Sequence, residues 1–390
     1  MVQFDEIIDR KGTSSVKWDQ LKTIFGSEDA LPMWVADMDF RAPQEVIDAL
    51  KKKIEHGVFG YTTMPDTTIE VICQWMEKRH HFPIQREWLL FSPGVVPSIS
   101  LAIQALTKEG DEVLVQPPIY PPFFNMVKKN NRNVVYCPLV LNGDQYEIDF
   151  DAFEQLLKTK NIKLFLLCSP HNPGGRVWTK EELNKIAELC QTYKVWIVSD
   201  EIHSDLTAVP NKHIPIASIK EEYREFVITC IAPSKTFNLA GLQASSIIVP
   251  NAGVRRKLAH IQNRQGFFQL NMMGMAAMEA AYRYGEKWLD EAISYIRGNV
   301  ELVKEFIEHE IPSLKVMEPQ GGYLVWIDCR ETRLTDQEIK ERILFKGKLA
   351  LEFGPKYGPG GEGFVRMNVG CPRSIVEEGL KRMKIALSEQ

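Results

Sequence analysis

The clearest chemical signal in the sequence is Lys235, which stands in Ala232-Pro233-Ser234-Lys235-Thr236-Phe237-Asn238-Leu239-Ala240-Gly241, after the apolar run Val227 to Ala232. An amine at the end of a buried strand has its ammonium form disfavoured by desolvation, so the free base is available to condense with a carbonyl. Three other strand ends also carry functional groups. Val198-Ser199-Asp200-Glu201-Ile202-His203 puts a carboxylate at the end of the strand Val195 to Asp200, where it is costly unless a cation meets it. Ser169-Pro170-His171-Asn172-Pro173-Gly174-Gly175 follows the run Lys163 to Ser169, and its prolines and glycines fix the backbone so that Asn172 projects as a neutral donor. Ser92-Pro93-Gly94-Val95-Val96-Pro97 sets a glycine turn before a helix, with Pro97 suited to its first turn. Free amides at such a helix start bind phosphate.

Each motif also has an ordinary reading. A lone lysine is more often a solvated surface residue, and a glycine before a helix or a proline-rich tetrapeptide is often only a turn. Asp200, Glu201 and His203 could be metal ligands, although no second His or Cys cluster at ligand spacing accompanies them. The pyridinium nitrogen of pyridoxal phosphate (PLP) is a cation that would answer Asp200. The value of the four strand ends lies in their occurring together and in this order.

The elements that must position these groups follow from pattern. Val113 to Gln116, Val134 to Pro138, Lys163 to Ser169, Val195 to Asp200, Val227 to Ala232 and Ser245 to Val249 are short β-branched runs alternating with helical patterns. That alternation predicts βαβ units and a mostly parallel sheet covered on both faces, with sites at the carboxyl ends of strands. Thr179 to Tyr193 starts with a capping-box spacing, Thr179 and Glu182, and sets Leu183, Ile186, Ala187 and Leu189 on one face of a helix. After Gly285 a long amphipathic stretch runs to Glu310. It is followed by two short strands (Tyr323 to Ile327, Phe364 to Val369), a helix near Thr335 to Leu344 and a last helix Arg373 to Leu387. The expected division is a large domain at 48–285 and a smaller α/β domain from 1–47 and 286–390. The loop Gly354 to Gly363 holds five glycines and two prolines and is expected to be a surface connection.

Composition narrows the partners. The 390 residues exceed what one core usually supports, and 44% hydrophobic with 25% charged residues is ordinary for a folded soluble protein. A net charge of −4 from 47 basic and 51 acidic residues gives no broad basic surface, so a nucleic-acid backbone is not expected as a partner. Seven cysteines lie apart from one another, mostly in apolar runs and without a C-x-x-C pair, and read as reduced core residues. No apolar stretch approaches bilayer length and Met1 to Gly12 is polar, so no membrane partner and a cytoplasmic location are expected.

At the four motifs the sequence resembles the class I and II aminotransferase superfamily, the fold-type I PLP-dependent transferases, over almost its whole length. Leu31-Pro32-Met33-Trp34-Val35-Ala36-Asp37-Met38-Asp39-Phe40, Phe59-Gly60-Tyr61 and Ser234 to Leu242 most resemble the C–S lyase subgroup, the MalY/PatB-type cystathionine beta-lyases. The resemblance implies pyridoxal 5'-phosphate as cofactor, Lys235 as its Schiff-base lysine and Asp200 as partner of the ring nitrogen. Asn172 would donate to the phenolic oxygen, and His203 lies where related enzymes often have a tyrosine. Tyr120 matches the aromatic that stacks on the ring and joins Lys235 and Asp200 among the catalytic residues. Gly94, Val95, Val96 and Ser234 match the phosphate site, and Tyr61 matches a residue reaching it from a neighbouring subunit, which implies a homodimer. Arg366, with Asn172 and Ala36, matches the substrate site, where its planar fork would grip an α-carboxylate. Two positions depart from the common pattern: Gln243 stands where an arginine is usual, eight residues after the lysine, and Ala232 where a serine is frequent.

The activity implied is β-elimination of L-cystathionine, or a related S-substituted cysteine, to homocysteine or another thiol, pyruvate and ammonia. An aminotransferase acting on an amino acid and a 2-oxo acid would use the same residues, and spacing alone does not separate the two. A Rossmann-type nucleotide-binding protein would share the sheet, but no G-x-G-x-x-G follows the early strands.

Overall fold

A computed structural model describes residues 4–207 and 209–388. Its centre is a seven-stranded sheet with the strand order Leu89–Ser92, Ser245–Ile248, Val227–Ile231, Trp196–Asp200, Ile162–Cys168, Glu112–Val115, Asn133–Tyr136. Six of the seven strands run in one direction, five of them paired as parallel neighbours. Ser245–Ile248 is antiparallel to both of its neighbours, Val227–Ile231 and Leu89–Ser92.

Because successive side chains alternate between faces, each central strand feeds two cores. Phe165, Leu167 and Ile197 pack into one, while Leu164, Leu166, Val198 and Ile228 pack into the other. The first face is covered in part by the helix Lys180–Thr192 through Leu183, Ile186, Ala187 and Cys190. The expected capping box is present there, with Thr179 accepting from Glu182 N–H (3.2 Å) and Glu182 from Thr179 N–H (2.7 Å). The second face is covered by Val95–Leu106, Pro122–Lys129 and Ala252–Arg264.

A four-stranded antiparallel sheet, in the order Lys315–Val316, Leu324–Asp328, Phe364–Asn368, Glu352–Phe353, forms the second layer system. The 25-residue helix Glu286–Glu310 and the final helix Arg373–Leu387 pack with it. The N-terminal segment is tied to this region by parallel pairing of Leu31–Pro32 with Leu349–Ala350.

The glycine-rich stretch 354–363 runs over the surface as expected, with Pro355, Lys356, Pro359, Gly360 and Glu362 exposed, yet it is closely packed. Tyr357 is buried within it, Tyr357 C=O accepts from Ile119 N–H (2.9 Å), and Gly354 and Gly361 pack so closely that a side chain on either would collide with the other's backbone. Its glycines serve close backbone approach. Of the seven cysteines, all free, only Cys73 is not fully buried. No helix among the described residues is long and apolar enough to cross a membrane.

Candidate active site

Parallel register brings the candidate residues to one edge of the large sheet. Cys168, Asp200 and Cys230 are consecutive partners across three strands, so the segments that follow them emerge side by side. Asn172 leaves the first of these strands, Asp200 ends the second, and Lys235 sits on the short helix Pro233–Thr236 just beyond the third. Gly94 is the N-cap of Val95–Leu106, whose first residues, Val95 and Val96, line the same space. One cavity is lined by Gly94, Val95, Val96, Tyr120, Asn172, Asp200, His203, Ser234, Lys235 and Ala36. Gln243, at the departing position, lines it as well.

Of the three groups that could have formed a metal site, Glu201 turns away from Asp200 and His203, which line the cavity together. Asp200 shares its face with Val198 and looks into the cavity. Glu201 instead takes Ser199 Oγ (2.8 Å) and His213 Nε2 (2.9 Å). Among the described residues no cluster of three or more His, Cys, Asp or Glu is placed to hold a metal.

Asp200 accepts from Ile202 N–H (3.1 Å), its only side-chain hydrogen bond among the described residues. Burial pushes its carboxyl up to about 7, against the opposing pull of that amide and of Lys235. Burial also lowers the Lys235 amine to about 8, with Arg366 adding to the effect and Asp37 and Asp200 opposing it. The Lys235 Nζ donates to Ala36 C=O (2.6 Å), which also accepts from Tyr323 Oη (3.0 Å). Burial holds His203 as a neutral imidazole, down to about 3, and its Nδ1 is buried without a partner. Burial likewise raises the Tyr120 phenol.

Arg366 lies on Phe364–Asn368, buried, with Nη1 on Asn172 Oδ1 (2.9 Å) and Nη2 on Trp34 C=O (2.9 Å). Its Nε has no partner. Residues 33–40, of which Ala36 lines the cavity, form a strap clamped on both sides. Asn238 accepts from Met38 N–H (2.9 Å) and donates to Met38 and Phe40 C=O (2.8 and 2.9 Å), while Asn368 donates to Asp37 C=O (2.6 Å). Tyr323, Asn238 and Asn368 were not anticipated from sequence. The left-handed φ of 58° at Asn238, three residues after the lysine, is the feature an Asn-rich turn signal could have flagged. Tyr61 is the one anticipated residue that lies apart: it is fully exposed and lines a different cavity, with Ala49, Val58 and Tyr284.

The residues present fit pyridoxal phosphate. An unpaired buried carboxylate suits a ring nitrogen carrying a proton, a depressed amine suits imine formation, and His203 Nδ1 and Arg366 Nε are buried polar atoms still lacking partners. Helix N-terminal amides at Val95 and Val96, with Ser234 and Gln243, offer neutral phosphate donors.

Comparison with known proteins agrees with this geometry. The model of the family "Aminotransferase class I and II" matches residues 29–383. The chain is 49% identical over 387 residues to cystathionine beta-lyase PatB of Bacillus subtilis, covering 99% of this chain and 100% of that protein. It superposes with a TM-score of 0.96 on cystalysin from Treponema denticola, which contains a pyridoxal 5'-phosphate cofactor, at 37% identity and 99% coverage of both chains. The PLP-bound C–S lyase from Staphylococcus hominis gives 0.92 at 33% identity, covering 100% of this chain and 99% of that one.

Proposed function

The chain belongs to the class I and II aminotransferase family, and from that premise we propose that it is a PLP-dependent carbon–sulfur lyase that cleaves L-cystathionine or related S-substituted cysteines. The observation that carries the reading is one cavity in which a depressed amine, Lys235, and an unpaired carboxylate, Asp200, face each other's space, in a chain similar over its full length to named C–S lyases.

Lys235 would hold the cofactor covalently, Asp200 would meet its ring nitrogen, and Asn172 and His203 would serve its phenolic oxygen. Tyr120 would cover the ring, and Gly94, Val95, Val96 and Ser234 would take the phosphate. When bound, the cofactor supplies an electron sink for the pair of electrons left at the substrate α-carbon. Arg366, fixed by Asn172 and Trp34 C=O with its Nε free, would take the substrate carboxylate and so set which bond at the α-carbon is aligned. Lys235, once displaced from the cofactor by the substrate's amine, would take the α-proton, its amine lowered by burial to about 8. Asp200 would keep a proton on the ring nitrogen. A thiolate would then leave the β-carbon, and water would complete conversion to pyruvate and ammonia.

The same reading makes the protein a homodimer, with Tyr61 reaching the phosphate site of a second copy. Ile54, Val58, Phe59 and Tyr61 supply exposed apolar surface in one stretch, more than scattered singles would give. It also divides the chain at 48–285 against 1–47 with 286–390, in accord with sheets spanning Leu89–Ile248 and Lys315–Asn368.

The test is pyruvate release from cystathionine by the yellow, cofactor-loaded protein. Stoichiometric pyruvate and homocysteine without an added 2-oxo acid is the expected result. Strict dependence on an oxo acid would make the protein a transaminase, and a colourless protein that gains no absorbance with PLP would remove the cofactor altogether.

A further inference from the structure

Behind the cavity lie buried groups that the reaction above leaves unused. Asp205 is buried and accepts three hydrogen bonds, from Trp75 Nε1 (3.0 Å) and His80 Nε2 (2.7 Å) at Oδ1 and from Thr236 Oγ1 (2.8 Å) at Oδ2. Burial opposes its charge, but these partners outweigh burial and hold the carboxyl below its ordinary range. Thr236 is fully buried and directly follows Lys235. The partners come from distant parts of the chain: Trp75 and His80 from the helix Asp66–His80, Asp205 from the turn Ser204–Leu206.

A second chain of the same kind stands beside it. Ser199 Oγ donates to Glu201, and His213 Nε2 meets the other oxygen of that carboxylate, with both residues flanking Asp200 in sequence. The two imidazoles touch edge to face at 5.6 Å between centroids. Each chain runs hydroxyl, carboxylate, imidazole, and each begins one residue from a group that faces the cavity. Burying two carboxylates and two histidines costs free energy that an apolar core would not, and the cost is met only because every carboxylate oxygen has a partner.

We propose that Asp205 is a positioning residue for Lys235: by fixing the Thr236 hydroxyl, with His80 and Trp75 fixing the carboxylate in turn, it sets the direction in which the lysine amine enters the cavity. The turn Pro233–Thr236 is only four residues long and has no side-chain cap; Phe237 N–H closes its backbone on Pro233 C=O (2.9 Å), and the Thr236 hydroxyl is the side-chain tether within it. Error in the amine's placement is costly because proton transfer requires hydrogen-bond reach to the α-carbon's proton. The proposal rests on Lys235 carrying the cofactor, as argued above.

The decisive pair is Thr236→Val, which keeps the shape and removes the donor, against Thr236→Ser, which keeps the donor. The readout is the pH titration of the lysine-bound chromophore by absorbance, alongside kcat and KM for cystathionine. The valine protein is expected to shift the titration midpoint by about half a pH unit or more and to lose about tenfold in kcat with KM nearly unchanged, while serine restores both. Asp205→Asn should resemble valine. Should it fail to fold, the Thr236 pair decides alone. A folded valine protein with the parent's midpoint and kcat would overturn the proposal, and so would a serine protein as impaired as valine, since size and not the hydroxyl would then matter. If the parent protein itself forms no chromophore, the cofactor reading has failed rather than this one.

Discussion

Lys17 and Lys235 are both amines taken out of water, and their surroundings treat them in opposite ways. Lys17 is 1% exposed, and its Nζ meets Asp39 at 2.6 Å and Asp37 at 3.9 Å; Arg10 adds a second cation, 2.6 Å from each of those carboxylates. Burial would raise Asp39, but Lys17 and Arg10 overcome it and hold the carboxyl below its usual range. Lys235 has no ion pair within 4 Å among the described residues, only a carbonyl, and its amine is pulled to about 8; nearby Asp200 is pushed to about 7. Buried charge that is answered by opposite charge ties the strap at Asp37 and Asp39 to Arg10 and Lys17 of the segment before it. Buried charge left unanswered, and facing a cavity, is chemistry held in reserve.

The largest separation between the two regions should appear on replacing Lys235 with methionine. Lys235→Met removes both the cofactor anchor and the base, so pyruvate formation from cystathionine should fall by about a thousandfold or more. Retained turnover would take Lys235 out of the mechanism and with it one side of the contrast. Asp39→Ala tests the other side. It leaves Lys17 buried with only the distant Asp37, and urea unfolding should show a loss of about 3–5 kcal/mol. A loss under 1 kcal/mol would mean that the strap's ions are solvated and that pairing does not distinguish the regions.

Stability of the cofactor-free protein sharpens the contrast, because the same Lys235→Met change should act on it with opposite sign. A lysine whose folded pKa is depressed from 10.5 to about 8 destabilises the fold most below pH 8, where the amine is charged in both states. The penalty fades as pH rises from 8 toward 10.5. Methionine should therefore stabilise the cofactor-free protein by on the order of 1–3 kcal/mol at pH 7, with the gain vanishing toward pH 10. A uniform gain at all pH values would assign it to packing instead.

Much of this arrangement was legible from residue types, and the parts that were not share a cause. Asn172, Asp200 and Lys235 could be read because parallel strands bury both faces, so the polar residue that ends each apolar run marks the sheet edge; the strand boundaries shifted by only a residue or so. Ser245–Ile248 read correctly as a strand, but alternation carries no direction, so its antiparallel course was hidden. The stretch 354–363 read as a surface connection but not as a packed one, because glycine serves both freedom and close packing and only the fold reveals which. Ala36 contributes a backbone carbonyl to Lys235, invisible in a side-chain pattern, and His80 meets Asp205 across 125 positions of sequence.

Uptake of PLP by the cofactor-free protein probes the unanswered amine directly. Only the neutral amine attacks the aldehyde, so the second-order rate should rise about tenfold from pH 7 and level off above pH 9, as expected for a group with a pKa near 8. A rate still climbing steeply through pH 9 would describe an ordinary solvated lysine, and the two buried amines would then differ in partners without differing in reactivity.

The smallest effect supplies the scale against which the others are judged. Thr179 and Glu182 close a capping box at the exposed start of Lys180–Thr192, and Arg176 holds the same carboxylate through Nη2 at 2.9 and 3.0 Å. Thr179→Ala removes one acceptor for a helix N–H that water can reach in its place, so the loss should be about 1 kcal/mol. Nothing in that change alters burial at Lys235 or pairing at Lys17, and the PLP uptake profile should overlay that of the parent. If Thr179→Ala instead moved the uptake midpoint, the amine's pKa would depend on global stability rather than on its own surroundings. The contrast between the two lysines would then lose its local physical basis.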